Sequence, residues 1–188
     1  MNRAARAPAS SRALHETRAA HVVAAIGVMA AAAASTSCTD PVYDSQIQAL
    51  GDEAPNVPTG DLHRPGQPCV LCHSSTGPAS SRQFAIAGTV FTTLTPPLKP
   101  EAAVEILMVD ANGSSPKKPI FSNAAGNFFV DTQDWPELAF PVKVQIYKQG
   151  LRRPMVSHIS REPSCAGCHA IITKFNRLTS VGPVYLSQ

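Results

Sequence analysis

Two five-residue motifs with the pattern Cys-x-x-Cys-His contain the most specific chemistry in this 188-residue sequence. The first runs from Cys69 to His73 and the second from Cys165 to His169. Two thiols three positions apart can both bond to the vinyl groups on one edge of a porphyrin, and the histidine that follows can bind the iron. The motifs therefore predict two covalently attached c-type haems, with Cys69, Cys72, Cys165 and Cys168 as thioether donors and His73 and His169 as proximal iron ligands.

The histidine count matches two six-coordinate irons. Four histidines lie beyond residue 37, namely His63, His73, His158 and His169. Two irons with an imidazole on each side require four histidines. His63 lies six residues before Cys69 and His158 lies seven before Cys165, each followed by a turn that contains proline. We therefore expect His63 and His158 as distal ligands, and which haem each one serves stays open.

Each distal ligand has an alternative. Met155 lies three residues before His158, and methionine as sixth ligand is common in electron carriers, where it raises the potential. His63 stands in a polar stretch rich in proline and glycine, where a lone histidine is usually just solvated. The paired spacing favours His158 over Met155 and favours iron ligation by His63.

Residues 1–37 have the pattern of an export signal. Four arginines precede an unbroken apolar run at residues 22–34, which is shorter than the about 20 apolar residues that span a bilayer. Small residues then lead to Cys38, as at the processing site of a bacterial lipoprotein. Ser35 replaces the usual aliphatic residue, so ordinary cleavage nearby is the alternative, but a spare thiol in an oxidising compartment would be a liability. We therefore expect lipid at Cys38 and a periplasmic or outer-membrane location in a Gram-negative bacterium.

Removal of the signal changes the charge balance. The whole chain has 16 basic and 13 acidic residues, and loss of the four arginines and Glu16 leaves 12 of each. A neutral mature chain gives no case for nucleic acid as a partner.

The sequence predicts a mainly β protein. Apolar and other residues alternate at residues 104–109 and 142–147, the pattern of strands with one buried face, and Asn112-Gly113 is a strong turn signal. We predict a signal peptide at 1–37, a flexible tether at 38–61 and haem-binding segments of loops and short helices at 62–82 and 158–188. Residues 83–157 would form a small antiparallel β-sandwich between them, whose strand ends could bring the two motifs together. The tail is predicted to begin with a short helix after Ala170 and to end in an edge strand at 183–186.

Two resemblances follow from these patterns. The pentapeptides resemble the haem sites of small multihaem c-type cytochromes of bacterial periplasms and outer membranes, which implies electron transfer with other redox proteins or cytochromes. The order of Gly88-Thr89-Val90, the turn at 109–113 and the glycine-aromatic strand at 123–129 resembles the carboxypeptidase-regulatory-like, transthyretin-type β-sandwich. That second resemblance covers about residues 83–150 and implies a scaffold without chemistry of its own.

The sequence is compatible with three classes of function. An exported dihaem electron carrier that is not an enzyme is favoured, because bis-histidine iron has no vacant site for a substrate. A haem enzyme or sensor, such as a peroxidase, would need one open iron. A structural module with zinc bound by four cysteines, or a pair of redox-active disulfides, is the third possibility.

Overall fold

The computed structural model describes residues 40–53, 55–57, 59–94, 96–171 and 178–186. The chain divides into two compact units, 1–41 and 42–188, and all described residues except Asp40 and Pro41 belong to the second. The predicted signal peptide, Cys38 and most of the helix expected after Ala170 lie outside the described residues. Within the described ranges, no helix has the length and apolar character needed to cross a membrane.

Two β-sheets make up most of the described chain, as the mainly β prediction requires. Seven strands occur in chain order: β1 (Phe84–Phe91), β2 (Glu105–Val109), β3 (Ile120–Phe121), β4 (Asn127–Asp131), β5 (Lys143–Lys148), β6 (Leu151–Pro154) and β7 (Val184–Tyr185). One sheet has the order β4-β1-β7 and the other β3-β2-β5-β6. All pairs are antiparallel except β1 with β7. The prediction of a small β-sandwich is confirmed at this level.

The core lies where the alternating residues of the strands point inward. In β2, Ile106 and Met108 are buried while Leu107 and Val109 are exposed, which is the period-two pattern of a strand with one face on the core. Strand β1 differs, because seven of its eight residues are buried. It is the central strand of its sheet, Phe84 at its start stacks on His73 of the first motif, and Ala87 pairs with Ser164 beside the second motif.

The turn that follows β2 is organised by a buried carboxylate. Asp110 Oδ1 accepts hydrogen bonds from the backbone N–H groups of Asn112, at 2.9 Å, and Ser114, at 2.8 Å. Its Oδ2 accepts a hydrogen bond from the backbone N–H of Ala139 at 3.1 Å. Gly113 has a φ of 78°, which is the left-handed region that glycine adopts without strain. The predicted Asn-Gly turn is thus present, and Asp110 ties it to the chain before β5.

Two α-helices and two one-turn 3₁₀ helices complete the described elements. The α-helices are α1 (Pro41–Ala49) and α2 (Cys69–Cys72), and the 3₁₀ helices are Thr132–Asp134 and Cys165–Gly167, the latter within the second motif. Helix α1 falls in the stretch predicted to be a tether without regular structure. None of its residues is buried, so it has no apolar stripe from which a helix could have been predicted.

Of the last two strands, one was predictable from the sequence and the other was not. The predicted edge strand near the carboxyl terminus is present as β7, at one edge of the three-stranded sheet. Strand β6 was not predicted, since its sequence does not alternate. It forms because Gln149 and Gly150, with φ values of 49° and 87°, make the tight two-residue turn that returns the chain antiparallel to β5.

Candidate functional site

The two Cys-x-x-Cys-His motifs lie side by side on strand β1. The N–H of Val70, inside the first motif, donates to the Oγ of Ser164 at 2.9 Å, directly before the second motif. A Cβ atom placed on Gly88, in the middle of β1, would lie 2.8 Å from both Cβ and Sγ of Cys165. Segments that are 96 positions apart in sequence are therefore neighbours in the fold.

The first motif fixes the ring of its histidine in a defined orientation. Helix α2 ends where the N–H of His73 donates to the carbonyl of Cys69 at 2.9 Å, and only 8% of His73 is exposed. Its Nδ1 lies 2.8 Å from the carbonyl oxygen of Arg82. A carbonyl can only accept, so Nδ1 carries the proton and Nε2 keeps an unshared electron pair. Burial lowers the pKa of His73, which keeps the ring neutral at pH 7.

His63 lies opposite His73. The centres of the two rings are 5.8 Å apart, with 32° between their planes, and Nδ1 of His63 hydrogen-bonds the carbonyl of Gly60. Two imidazoles that share one metal ion, each with a metal–nitrogen bond of about 2 Å and a ring centre about 1 Å beyond, have centres about 6 Å apart. The separation of His63 and His73 therefore fits two axial ligands of one iron.

A stack of aromatic rings supports the ring of His73. Phe84 lies 4.1 Å from His73, centre to centre, and 4.8 Å from Phe129, and all three rings are nearly parallel. The guanidinium of Arg82 lies 4.5 Å from the centre of the Phe129 ring and pairs with Asp61 and Asp131. Packing on one side and the Arg82 carbonyl at Nδ1 leave the His73 ring little rotational freedom.

The second motif repeats the same arrangement. The N–H of His169 donates to the carbonyl of Cys165 at 2.7 Å, and Nδ1 of His169 lies 2.9 Å from the carbonyl oxygen of Gly182. Nε2 of His169 is again the nitrogen left with an unshared pair. Metal-bound histidines in proteins typically donate their other ring N–H to such a carbonyl, which sets the tautomer and the ring orientation.

A cleft of about 300 Å³ adjoins the second motif. Cys165, Cys168 and His169 line it together with both candidate distal ligands, His158 and Met155. Its remaining lining is largely apolar and includes Phe128, Ile146 and Val184. His158 is exposed and Met155 is half-buried, so the structure brings each of them near His169 and leaves the choice between them open.

All four motif cysteines are free thiols in this structure. Burial raises the pKa of Cys69 to about 11 and that of Cys165 to about 12, and burial also raises the pKa of Cys72. The thiolate is the reactive form of cysteine, so these three groups lack the lowered pKa that redox-active disulfide pairs have.

No group of three or more His, Cys, Asp or Glu side chains placed to hold a metal ion occurs in the described part of the chain. A haem iron takes four nitrogens from the porphyrin and only two ligands from the protein. The paired histidines described above would therefore suffice for it.

The structure also identifies residues that the sequence did not suggest. The carbonyls of Arg82 and Gly182, the hydroxyl of Ser164 and the rings of Phe84 and Phe129 all support the motifs. Only Ser164 adjoins a motif in the sequence, and no pattern marks the others.

Comparison with known proteins adds no relative. The chain matches no protein-family model, and neither a curated protein nor a solved structure shows detectable similarity to it. The resemblance to multihaem cytochromes therefore rests on the two pentapeptides, and the resemblance to transthyretin-type sandwiches stays a prediction.

Proposed function

We propose that this chain is an exported dihaem c-type cytochrome that transfers single electrons and transforms no substrate. The observation that carries the proposal is the repeated arrangement at His73 and His169. Each follows a pair of cysteines, and each has Nδ1–H bonded to a backbone carbonyl, which leaves the unshared electron pair on Nε2. When bound, a c-type haem supplies a one-electron redox centre.

The residues of the chain have separate roles in this proposal. Cys69 and Cys72 hold one porphyrin edge through thioether bonds, and Cys165 and Cys168 hold the other porphyrin in the same way. The carbonyls of Arg82 and Gly182 orient the proximal imidazoles, so little has to reorganise at the iron when its charge changes.

The proximity of the two motifs supports exchange of electrons within one chain. Val70 of the first motif is hydrogen-bonded to Ser164 beside the second, and both segments cover the same strand. A thioether bond joins a haem directly to the side chain of its cysteine, so both haems would remain near β1. An incoming electron could therefore leave the chain from the other site.

Export, lipid attachment at Cys38 and redox partners belong to the same proposal. The apolar run at 22–34 and the small residues before Cys38 support an outer-membrane or periplasmic lipoprotein. Partners would be other cytochromes or redox proteins, and the balanced charge supports no role with nucleic acid.

One observation supports a second candidate function at the second site. The cleft beside His169 is open, and the other histidine that lines it, His158, is exposed, whereas the ring centres of His63 and His73 are 5.8 Å apart. An iron at His169 with a weak or displaceable sixth ligand would give a haem sensor or a peroxidase-like enzyme. Carbon monoxide binding to the reduced protein distinguishes this candidate from a carrier with two six-coordinate irons.

The test is covalent haem content. The full chain is expressed with its signal in a bacterium that has the c-type haem maturation machinery, purified under denaturing conditions and assayed as the pyridine haemochrome. We expect two haems per chain, and one in each of the variants Cys69→Ala/Cys72→Ala and Cys165→Ala/Cys168→Ala. A colourless protein that contains zinc would overturn the proposal and favour the four-cysteine structural module. Cys38→Ser tests the lipid separately, because we expect it to move the protein from the membrane fraction to the soluble fraction.

A further inference from the structure

We propose that His63 is the distal ligand of the iron held by the first motif, and that a buried pair of the sandwich, Asn127 and Thr89, positions it. The inference rests on the proposed function, and it names the iron that His63 serves and the residues that hold His63 there. The segment concerned is residues 60–67, called here the distal-histidine loop, which has no regular secondary structure.

Asn127 binds the backbone of the loop at the histidine itself. Its Nδ2 donates to the carbonyl of His63 at 2.9 Å and to the carbonyl of Asp61 at 3.3 Å. Asn127 lies at the start of β4 and is only 5% exposed. A buried amide group is costly unless its hydrogen bonds are made, and both hydrogen bonds that Nδ2 makes among the described residues go to the distal-histidine loop.

Thr89 completes the network from the neighbouring strand. Thr89 and Asn127 are direct partners in the pairing of β1 with β4, and the hydroxyl of Thr89 donates to Oδ1 of Asn127 at 2.8 Å. The same hydroxyl accepts the N–H of Gly66 at 2.8 Å. Because Thr89 is also 5% exposed, the two strands present a buried polar pair that binds the loop on both sides of His63.

Further contacts fix the beginning of the loop. The carbonyl of Asp61 also accepts a hydrogen bond from Nδ2 of Asn123 at 2.6 Å. The carboxylate of Asp61 forms an ion pair with Arg82 at 2.6 Å. Arg82 is the residue whose carbonyl accepts Nδ1–H of His73. One residue therefore contacts both the distal-histidine loop and the proximal histidine.

The network explains how an irregular loop can supply an iron ligand. A free loop loses conformational entropy when one of its side chains is fixed. The bonds to Asn127, Thr89 and Arg82 set that loop before ligation, so His63 already lies 5.8 Å from His73, ring centre to ring centre. The second motif has no equivalent arrangement among the described residues, because His158 is exposed and lies across an open cleft.

The assignment is tested in chains that keep one haem each. Cys165→Ala/Cys168→Ala retains the first haem and Cys69→Ala/Cys72→Ala retains the second. In the first background we expect His63→Gly to convert a six-coordinate low-spin spectrum into a five-coordinate high-spin one, to open the reduced iron to carbon monoxide, and to be restored by added imidazole. In the second background His63→Gly should change nothing.

The positioning role is tested in the first background with Asn127→Asp, which keeps the acceptor for Thr89 and removes both N–H donors to the loop. Loss of such buried hydrogen bonds should lower the ratio of six- to five-coordinate haem about tenfold or more. Thr89→Val should act in the same direction and Thr89→Ser should keep the wild-type spectrum. Asn112→Asp, the same change in an exposed turn, is the matched control.

The outcomes separate the two levels of proposal. Absence of covalent haem in every chain overturns both. A spectral change by His63→Gly at the second haem only, or at neither, overturns the ligand assignment while the cytochrome stands. If Asn127→Asp and Thr89→Val fold, as shown by circular dichroism, and keep the wild-type spectrum, the positioning role is wrong.

Discussion

At the scale of single residues, the chemistry proposed for this chain depends on which ring nitrogen of each histidine keeps an unshared electron pair. The types and spacing of Cys69, Cys72, His73 and their repeat are visible in the sequence. The partners that fix the histidine tautomers are not, since a backbone carbonyl belongs to every residue and no side chain marks Arg82 or Gly182 as the acceptor. Candidate ligands could be named from the sequence, and the orientation of their rings required the folded chain.

Asp110 provides a prediction about pH at this scale. Burial by itself would raise its pKa, but the hydrogen bonds from the N–H groups of Ser114, Ala139 and Asn112 outweigh burial and lower the pKa below the ordinary value of 3.8. A lowered native pKa stabilises the fold above the pKa of the unfolded chain, and that stability is lost as the pH falls through the native pKa. Asp110→Asn should therefore lower the melting temperature at pH 7, and the difference from wild type should shrink below pH 3.8.

Thermal unfolding followed by circular dichroism at neutral and acid pH makes that comparison. Glu137→Gln, which removes the charge of an exposed side chain nearby, serves as the control and should show no such pH-dependent difference. A deficit for Asp110→Asn that stays the same at every pH would contradict the prediction.

The choice between His158 and Met155 is a second prediction for single residues. In the chain that retains only the second haem, we expect His158→Ala to open the reduced iron to carbon monoxide, because the spacing of His158 repeats that of His63. Met155→Leu should leave the ligation unchanged, because leucine can fill the space of a half-buried methionine. The opposite result would make Met155 the ligand and predict a higher potential for that haem.

At the scale of secondary-structure elements, strand β1 connects the scaffold with the site. The alternation at Ile106 and Met108, the Asn-Gly turn and the edge strand β7 were all predictable, because each depends on local periodicity or turn chemistry. The contacts of β1 with both motifs were not predictable. Ile86 and Val90 pack in the core, Phe84 stacks on His73, and the small residues Ala87 and Gly88, which lie beside Ser164 and Cys165, carry no sign of what approaches them.

Gly88→Ala tests the contact of β1 with the second motif. The added Cβ would lie 2.8 Å from Cys165 and also 2.8 Å from the Phe128 ring, which is closer than real contacts allow. Overpacking of this kind costs about 1–3 kcal/mol, so we expect a lower melting temperature and less haem at the second motif. Both are measured on the purified chain, the latter as the pyridine haemochrome.

Gly167→Ala is the matched control for that experiment. Its added Cβ would meet the side chain of Glu162, which can move, and Gly167 is exposed. The same substitution inside the second motif should therefore have the smaller effect. Equal losses of melting temperature and haem content in the two variants would show that the contact of Cys165 with β1 does not determine either quantity.

At the scale of the whole molecule, the fold brings together segments that the sequence keeps apart. Val70 and Ser164 meet only because the intervening 83–157 region folds back on itself, and no local pattern encodes a contact over that distance. The same holds for Asn127, which lies 64 positions from the His63 carbonyl that it binds. Such contacts depend on the packing of whole sheets, which is why the sequence indicated that the two motifs could meet but not the contacts through which they do.

Proximity of the two motifs predicts interacting potentials. An electron on one iron disfavours a second electron nearby, by roughly 1–2 kcal/mol for charges about 10 Å apart at an effective dielectric constant of about 20. For one electron this corresponds to a shift on the order of 50 mV. We expect the potential of the first haem to be higher by this amount when the second haem is oxidised than when it is reduced. Spectroelectrochemical titration of the dihaem chain measures it, with Cys165→Ala/Cys168→Ala identifying the signal of the first haem, and two potentials that do not depend on each other would contradict the close placement.

The position of β7 in the chain has a consequence for biogenesis. This strand follows both Cys-x-x-Cys-His motifs in sequence, yet it is the parallel neighbour of β1 and the third strand of its sheet. If the chain is exported as proposed, that sheet cannot close until both motifs have crossed the membrane. The order of translocation would then leave both thiol pairs open to haem attachment before folding covers them.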